Sequence, residues 1–491
     1  MEVSVPSFRH LTKEITQSSK SILDRLCSIK EDGDFITEVA DAFPNLAMAA
    51  NQRCGNWYVD PKIKAGEAYF KSTDGHTGQW SFNLRRLNLP FVQLALDHGG
   101  CILVDSTRKG KRLPDALSKT VPIWCTVLNG AIQRLRQNSS EEEDMAIDGI
   151  LDWDTKFYAP PSVVSSSERA QITERIPGWI DELLSSPVDL TNIAHPTKGL
   201  KKPLRPIWVY PGSRLLDEPP NYLEPDVPFT PILCVCASSS GQGLMERRPG
   251  YYYVQGAADD EEEWSKGLTA SMYWEHRESL CSLSSSQACI SFIQDLVRSS
   301  KEFPTARKPR HPPQTMPLAT PIAKTCLYIG RRRSGRPPEC WEEYDAVINC
   351  SHLEYPNMPD HAHSDQYLFL NIPEGKRGER KLGQSIPLAL SFSQPHILAK
   401  HRILIHCSQG KDRSVGIALA IFLAFFTKQG TPRADLPPIN VDSPPLELGL
   451  SKKEIHECLL TIQQAHPYSM PTRETLKQVH RYFLPGESHD V

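Results

Sequence analysis

An apolar run leads directly into a short polar loop in the last third of the chain: Ile403-Leu404-Ile405-His406-Cys407-Ser408-Gln409-Gly410-Lys411-Asp412-Arg413-Ser414. Residues 403–405 have the aliphatic, β-branched character of a buried strand, and the residues from Ser414 onward favour a helix. The helix continues into the apolar stretch 415–426, which is far short of the roughly 20 residues needed to cross a bilayer. We therefore predict a strand, a loop and a buried core helix, and no membrane span.

The polar loop has the chemistry of an anion site. A loop at the start of a helix directs backbone N–H groups and the positive end of the helix dipole towards one point. Arg413 adds a planar guanidinium that can hold two phosphate oxygens, and Ser414 can donate a hydrogen bond to the sulphur of Cys407, which this field favours as a thiolate. We predict that these residues bind phosphate: Cys407, Ser408, Gln409, Gly410, Lys411, Asp412, Arg413 and Ser414.

The spacing of this loop resembles a known signature. His406-Cys407, five further residues and Arg413-Ser414 match the motif of the cysteine-dependent dual-specificity phosphatases, in the strand–loop–helix setting that the motif requires. The resemblance covers about Thr325–Leu484. It implies an α/β domain in which Cys407 is part of a phosphate cradle or a nucleophile.

One part of that catalytic apparatus is missing. Phosphatases of this family protonate the leaving oxygen with an aspartic acid on a loop after the preceding strand. We predict the corresponding loop at 371–380, but residues 366–406 contain no Asp. Glu374, Glu379 or Asp412 could substitute, whereas a set of basic residues points to contact with a polyanion: Lys376, Arg377, Arg380 and Lys381.

Proline marks the organisation of the chain. There are 41 prolines in 491 residues, which is about 8%, whereas the usual share is about 5%. Clusters at 196–231, 304–321 and 432–445 predict extended connections, and we interpret the second as a linker. The predicted organisation is an N-terminal domain at 1–303, a Pro-rich linker at 304–321 and a phosphatase-like domain at 322–491.

The fold class predicted for both domains is α/β. The large N-terminal domain reads as mixed α/β, with helical spacing up to about residue 50 and strand-like stretches at Trp57–Val59, Ala68–Phe70 and Cys101–Val104. The C-terminal domain reads as a cysteine-phosphatase-like α/β unit. Strands are predicted there at Leu327–Ile329 and Tyr367–Leu370, before the strand of the polar loop.

Composition excludes several classes. The formal net charge is −3 and the pI about 6.6, so any nucleic-acid surface must be a local patch. The 13 cysteines include no C-x-x-C pair, which argues against a disulfide framework and a standard zinc knuckle. No secretory or transit pattern is present at the N-terminus, so we expect a cytoplasmic protein. A monomer is favoured.

Four stretches of the N-terminal domain are rich in small and polar residues, which is unusual for a core. They are Phe70–Trp80, Asp105–Asp115, Ser118–Cys125 and Tyr253–Glu261. The second follows an apolar strand, and its Ser, Thr, Arg, Lys and Gly content suits contact with phosphate or an RNA backbone, although an exposed charged turn would have a similar composition.

Together with the phosphatase signature, these stretches resemble the fungal and plant initiator tRNA phosphoribosyl transferase family, the tRNA adenosine-64 2′-O-ribosylphosphate transferases. The resemblance spans nearly the whole chain. It implies that phosphoribosyl pyrophosphate, with Mg²⁺, donates a 5-phosphoribosyl group to the 2′-hydroxyl of one adenosine in initiator methionine tRNA. That modification keeps the tRNA out of elongation.

This reaction needs a phosphate grip, a base and a tRNA surface. We expect the Cys407–Ser414 loop to hold a phosphate of the donor, and we consider Asp105, Asp74 and His76 as base or metal ligand. The catalytic candidates are Cys407, Asp412, Arg413, Asp74 and His76. The metal candidates are Asp259 and Asp260, although an acidic run more often lies on a solvated face. The tRNA-binding candidates are Arg108, Lys109, Lys111, Arg112, Arg331, Arg332, Arg333, Lys376 and Arg377.

Two other functions remain open from the residues alone. The intact signature is compatible with a phosphatase of a phosphoprotein, a phosphoinositide or an RNA end, but the missing Asp and the large N-terminal domain count against it. A non-catalytic phosphate-binding adaptor is the second alternative.

Overall fold

Five parallel strands form the centre of the N-terminal part of the chain. In the computed structural model, the described residues are 21–52, 54–108, 110–138, 153–240, 246–302, 318–355, 365–433, 439, 446 and 448–484. They form two compact units: the first contains residues up to 184 and from 190 to 314, and the second contains residues 185–189 and those from 315 onward. Most of the predicted linker lies outside the described residues, so the boundaries at 303 and 322 stay predictions.

The N-terminal unit alternates helices and strands. Its strands are β1 (Ala47–Asn51), β2 (Lys64–Ala68), β3 (Cys101–Asp105), β4 (Leu204–Val209) and β5 (Thr230–Cys236), followed by a two-stranded ribbon of β6 (Arg247–Arg248) and β7 (Tyr251–Tyr252). Its helices are α1 (Ile22–Ala42), α2 (Gly55–Tyr58), α3 (Leu89–His98), α4 (Val121–Asn138), α5 (Ser166–Leu184), α6 (Thr191–Ala194), α7 (Glu261–Trp264), α8 (Ala270–Cys281) and α9 (Ser286–Glu302).

The main sheet has the order β2-β1-β3-β5-β4, with every neighbouring pair parallel. Strands β1, β3 and β5 are buried along their whole length, which explains their continuous apolar sequences. The strand predicted at Trp57–Val59 is wrong. Trp57 and Tyr58 instead belong to the short helix α2, and both rings are buried in the core.

The strand order places a switch point between β1 and β3. The chain leaves β1 towards β2 on one side and then returns to β3 on the other side. In open parallel sheets, ligands bind in the crevice outside the carboxyl ends of the strands at such a point. Here those ends are Asn51 and Asp105.

The C-terminal unit is a second α/β sheet. Its strands are β8 (Ala319–Pro321), β9 (Leu327–Arg331), β10 (Ala346–Asn349), β11 (Tyr367–Phe369) and β12 (Ile403–Cys407). Its helices are α10 (Cys340–Glu343), α11 (Lys376–Leu398), α12 (Arg413–Phe425), α13 (Lys452–Ala465) and α14 (Arg473–Phe483). The order is β11-β10-β12-β9-β8, parallel except for β8. The predicted strands and the α/β class are confirmed.

The strand–loop–helix predicted from the polar loop is present, as β12 followed by α12. Every residue of both elements is buried, so α12 is the core helix that its apolar sequence predicted. The loop predicted at 371–380 is wrong in its second half, because Lys376 begins the long helix α11. Residues 319–321, at the end of the predicted linker, form β8 by pairing with β9. In the part of the chain described here, no helix is both long and apolar enough to span a membrane.

The close packing of α2 on the sheet gives a stability prediction. A Cβ atom on Gly55 would lie 2.4 Å from the carbonyl oxygen of Val104 in β3, so backbone would have to move. We expect Gly55→Ala to lower the free energy of unfolding by about 1–3 kcal/mol, the usual cost of overpacking. Thermal unfolding of the full chain measures this.

Gly178→Ala is the matched control. A Cβ on Gly178, in α5, meets nothing within 4 Å, and alanine favours a helix over glycine by about 1 kcal/mol. This variant should be as stable as the parent or slightly more so. Equal melting temperatures for the parent and Gly55→Ala would contradict the packing described for α2.

Candidate active site

The loop between β12 and α12 is shaped by close backbone contact. Gly410 has φ +75°, and a Cβ there would lie 2.8 Å from the carbonyl oxygen of Gly330 in β9. Only glycine meets both conditions without strain. The loop therefore curls tightly from the end of the strand to the amino end of the helix, where backbone N–H groups have no partner within the helix.

The sulphur of Cys407 lies at the base of this loop and is almost completely buried. It accepts hydrogen bonds from the Gly410 N–H (3.2 Å) and from the Ser414 hydroxyl (3.3 Å), the contact expected from the sequence. The neighbouring Cys350 thiol has its pKa raised well above the usual value, first by burial and then by the proximity of Cys407. Cys350 is thus kept as a neutral thiol beside the loop.

The guanidinium of Arg413 already has three partners. It donates to the Ile372 carbonyl (2.8 Å), to the Glu374 carboxylate (2.7 Å) and to the Ser408 hydroxyl (3.0 Å). Glu374 follows β11, where the related phosphatases carry their acid, and its side chain is 62% exposed. A carboxylate that is ion-paired with Arg413 occupies part of the anion-binding face of that guanidinium.

The segment after α13 clamps the other side of the loop. The His466 Nε2–H donates to the Gly410 carbonyl (3.1 Å), and Nδ1 contacts the Thr320 hydroxyl at 2.8 Å. Met470 donates its N–H to the Lys411 carbonyl, and Thr472 donates its N–H to the Asp412 carboxylate (both 2.8 Å). Asp412, a predicted catalytic residue, therefore has a structural contact, and its catalytic role stays a prediction.

Burial keeps the histidine before the cysteine neutral. His406 is fully buried, and burial together with Arg332 lowers its pKa to about 3. Its Nε2 lies 3.3 Å from the Tyr355 hydroxyl. Arg332 itself donates to the carbonyls of Leu353 (2.6 Å) and Glu354 (2.8 Å), and its guanidinium lies 4.7 Å from the centre of the Tyr355 ring.

The structure gives the predicted basic residues different surroundings. Arg332 is used to fix the segment 353–355, whereas Arg333 is exposed and Arg331 is partly exposed. Lys376 and Arg377 lie in the first turn of α11, with side chains outside the described part of the structure, and Lys109 lies wholly outside it. Binding of tRNA by these residues stays a prediction.

The four polar stretches of the N-terminal unit meet at the carboxyl edge of its sheet. Asn51, at the end of β1, donates to the carboxylate of Asp105 at the end of β3 (2.7 Å) and exchanges two hydrogen bonds with the backbone of Phe70. Asp105 also accepts from the Cys54 thiol (3.1 Å) and the Ser106 N–H (2.8 Å). These groups are buried and lie at the switch point, beneath the crevice where a ligand is expected.

The second and fourth stretches are joined to each other by the side chain of Gln255. Gln255 accepts from the Gly110 N–H (2.7 Å) and donates to the Lys111 carbonyl (2.8 Å). Arg108 pairs with both Asp259 (3.7 Å) and Asp260, so these predicted metal ligands already neutralise a cation of the chain. Within the described ranges, no three His, Cys, Asp or Glu side chains are grouped to hold a metal ion.

The remaining predicted residues lie on the neighbouring loops. Asp74 pairs with Arg86 at 3.1 Å, and His76 lies 3.8 Å from Asp115. Arg112 is exposed, and its guanidinium lies 5.1 Å from the centre of the Tyr210 ring, which follows β4. None of these contacts tests catalysis or tRNA binding, so the roles of Asp74, His76 and Arg112 stay predictions.

Sequence reasoning missed one charged group at this edge. Lys119 is buried and lies 3.2 Å from Asp115 and 3.0 Å from Glu168. Lys119 stands inside the polar stretch 118–125, but Glu168 is far away in sequence and carries no motif. Only the folded chain brings these charges together.

A buried cysteine sulphur at the base of a tight anion-binding loop, with an arginine on its rim, defines a cysteine-phosphatase-like domain. The model of the Rit1 DUSP-like domain matches residues 366–483, and that of the Rit1 N-terminal domain matches residues 15–298. The chain belongs to the Rit1 family, which confirms the family expected from the sequence.

Two curated proteins are similar over nearly the whole chain. An uncharacterised protein of Schizosaccharomyces pombe is 34% identical over 469 residues, which cover 95% of this chain and 94% of the relative. The tRNA A64-2′-O-ribosylphosphate transferase of Saccharomyces cerevisiae is 33% identical over 467 residues, which cover 88% of each chain.

Similar solved structures cover about a third of the chain. Human DUSP28 is 16% identical, with a TM-score of 0.24, and the match covers 34% of this chain and 94% of DUSP28. The Yvh1 phosphatase domain from Chaetomium thermophilum is also 16% identical, with a TM-score of 0.26, and the match covers 35% of this chain and all of that domain.

The pairing of Glu374 with Arg413 predicts an effect on anion binding. An anion entering the loop must compete with this carboxylate, and exposed ion pairs contribute about 0.2–1 kcal/mol. Glu374→Gln should therefore tighten the binding of inorganic phosphate by about 1.4- to fivefold, measured by calorimetry.

Glu342→Gln makes the same charge change on α10, which precedes β10 and so lies towards the opposite edge of the sheet. Its dissociation constant for phosphate should equal that of the parent protein. If Glu374→Gln weakened phosphate binding, the carboxylate would be part of the anion site and would not compete with the anion.

The clamp by His466 predicts a dependence of stability on pH. Burial lowers the pKa of His466 to about 4, whereas an unfolded histidine titrates near 6.5. Between these values the unfolded chain binds a proton that the folded chain does not, so stability falls as the pH falls. His466→Gln should remove up to about 1.4 kcal/mol per pH unit from this slope.

Melting temperatures between pH 7 and pH 4.5 measure the slope. The exposed His352 provides the control, because His352→Gln should leave the slope as it is in the parent. If the stability of His466→Gln depended on pH as steeply as that of the parent protein, this histidine would take up its proton equally in the folded and unfolded chain.

Proposed function

We propose that this protein transfers a 5-phosphoribosyl group from phosphoribosyl pyrophosphate to the 2′-hydroxyl of adenosine 64 in initiator methionine tRNA. One observation carries the proposal: the chain is 33% identical to the tRNA A64-2′-O-ribosylphosphate transferase of S. cerevisiae, over 88% of both proteins. An alignment of that extent includes both units, so the proposal accounts for the N-terminal sheet as well as the cysteine loop.

The chemistry of the transfer is a substitution at C1 of the donor ribose. The 2′-oxygen of the tRNA forms a bond to C1, the bond from C1 to the pyrophosphate oxygen breaks, and pyrophosphate leaves with that electron pair. The hydroxyl proton must pass to a base. Donor and acceptor both carry phosphate groups that need hydrogen-bond donors and positive charge.

We assign the Cys407–Ser414 loop to a phosphate group of the donor. The support is the curled loop at the amino end of α12, with Arg413 and the Ser408 hydroxyl 3.0 Å apart on its rim. The Cys407 sulphur at the base accepts two hydrogen bonds, and in this proposal it shapes the cradle and forms no covalent intermediate.

Magnesium enters the proposal as a companion of the donor. Asp259 and Asp260 do not fit a protein-held metal site, because both pair with Arg108. Mg²⁺ is commonly bound through substrate phosphates with several of its waters retained. We therefore propose that Mg²⁺ arrives on the pyrophosphate group. A cytoplasmic location and a monomeric state remain predictions.

Hydrolysis of a phosphomonoester is less well supported by the site. Residues 366–406 contain no Asp, and the carboxylate nearest the corresponding position, Glu374, is paired with Arg413. The site therefore lacks, at this position, the aspartic acid that would protonate a leaving alcohol.

The test is a transfer assay with unmodified initiator tRNA and phosphoribosyl pyrophosphate labelled in its β-phosphate. Release of pyrophosphate should depend on the tRNA. Arg413→Ala should raise the apparent KM for the donor at least tenfold, because charge-assisted hydrogen bonds to phosphate contribute about 1.5–3 kcal/mol. Arg402→Ala is the control, since Arg402 immediately precedes β12 at the amino edge of the sheet.

Three outcomes would contradict different parts of the proposal. Absence of tRNA-dependent release, together with Cys407-dependent hydrolysis of an aryl phosphate, would identify a phosphatase. An unchanged KM for the donor in Arg413→Ala would exclude the loop as its phosphate site. Cys407→Ser should retain transfer, and its complete loss in a folded variant would point to a covalent thiol step.

A further inference from the structure

A partly exposed histidine faces a buried carboxylate at the edge of the N-terminal sheet. His76 lies on the loop after β2, with 47% of its side chain exposed, and its Nε2 is 3.8 Å from Oδ2 of Asp115. The Asp115 side chain is only 14% exposed. Nδ1 of His76 has no hydrogen-bond partner among the described residues. One ring nitrogen therefore faces the carboxylate and the other is open to a ligand.

The carboxylate is held from below by a buried ammonium group. Lys119 Nζ lies 3.2 Å from Oδ1 of Asp115 and 3.0 Å from the Glu168 carboxylate, and its side chain is 5% exposed. Glu168 also accepts from the Trp80 indole N–H (3.0 Å) and from the Thr77 hydroxyl (3.1 Å). The network thus joins the loop of His76 to α5 and to the residues before α4.

The backbone around this network is unusual in two places. Residues Ala116–Thr120 form a π-helical turn, a geometry that is rare and often occurs at functional sites. A Cβ on Gly75 would lie 2.7 Å from the Asp115 carbonyl and 2.8 Å from the Thr120 hydroxyl. The loop carrying His76 is therefore pressed directly against the turn that carries Asp115 and Lys119.

Two basic side chains lie on the Asp115 side of this network. Lys111 lies 3.3 Å from the same Asp115 oxygen that His76 faces and is 55% exposed. Arg112 is exposed next to it in the chain. Phosphates of an RNA backbone are the polyanion that this arrangement suits, because lysine and arginine contacts to phosphate position RNA without reading its sequence.

We propose that His76 is the general base for the acceptor hydroxyl and that Asp115 is its positioning carboxylate, an inference that rests on the proposed transferase function. Nδ1 of His76 takes the proton of the tRNA 2′-hydroxyl as the 2′-oxygen bonds to C1 and the pyrophosphate leaves with its electron pair. Asp115 stabilises the imidazolium that results, and the proton then passes to water. Lys119 and Glu168 hold Asp115 in place.

The burial of Lys119 supports a role beyond packing. A buried ion pair stabilises a fold weakly, because desolvation of the charges offsets their attraction, and apolar residues of similar volume often do as well. Here an ammonium and two carboxylates are largely withdrawn from water beside a histidine that stays accessible. Fixing a proton acceptor in one orientation is a use for which such a network is suited.

Chemical rescue tests the role of His76. His76→Ala should lower kcat for tRNA-dependent transfer at least a hundredfold, because general bases contribute about 10²–10⁴-fold, and added imidazole should restore part of that rate in a concentration-dependent way. His98→Ala is the control: His98 is exposed at the end of α3, at the amino edge of the same sheet. Its kcat should equal that of the parent, with or without imidazole.

A double-mutant cycle tests Asp115. Asp115→Asn should lower kcat about tenfold or more in the parent protein, and it should have no further effect in a His76→Ala background, because a positioning residue acts only through the group it positions. Asp115→Asn also removes the ion pair with Lys111, so its effect on the KM for tRNA is measured separately from its effect on kcat. Melting temperatures establish that each variant is folded.

The results separate this inference from the function on which it rests. If the parent protein shows no tRNA-dependent transfer, the proposed function fails. If the parent transfers and folded His76→Ala either keeps its kcat or gains nothing from imidazole, His76 is not the base. Additive losses from Asp115→Asn and His76→Ala would overturn the assignment of Asp115 as a positioning residue.

Discussion

The side chain of Asn51 ties together three strand ends on which the N-terminal unit depends. This buried amide bonds the Asp105 carboxylate at the end of β3 and the backbone of Phe70 after β2. Parallel strands release their loops at one edge, and Asn51 fixes where the two loops on either side of β1 begin. The loop with His76 and the loop with Asp115 both start from this point. A buried amide with no partner would be costly, so all three ends must be in place at once.

The parts of the structure that the sequence predicts are those set by local chemistry. The aliphatic run 403–405, the spacing from Cys407 to Arg413 and the apolar helix after it were sufficient for the strand, the loop and the hydrogen bond from Ser414 to the sulphur. The α/β class and the family follow from the same motifs. The strand predicted at Trp57–Val59 fails because aromatic residues suit a buried helix as well as a strand, and packing decides between them.

What the sequence does not predict depends on contacts between distant residues. Lys119 and Glu168 are 49 positions apart, and neither belongs to a recognisable pattern with the other. From the sequence, Arg332 is expected to be an exposed basic residue. In the structure its guanidinium donates hydrogen bonds to the carbonyls of Leu353 and Glu354. The ion pair between Glu374 and Arg413 likewise joins two elements whose proximity follows only from the sheet order.

The contact between His466 and Gly410 spans 56 residues of sequence. The loop that follows β12 is therefore not complete when its own residues have been synthesised. It acquires its outer wall only after α13 has folded and residues 470 and 472 have reached it. On a translating ribosome the anion site would thus be among the last features of the chain to mature, and a nascent chain released before residue 466 would lack all three contacts that hold the loop closed.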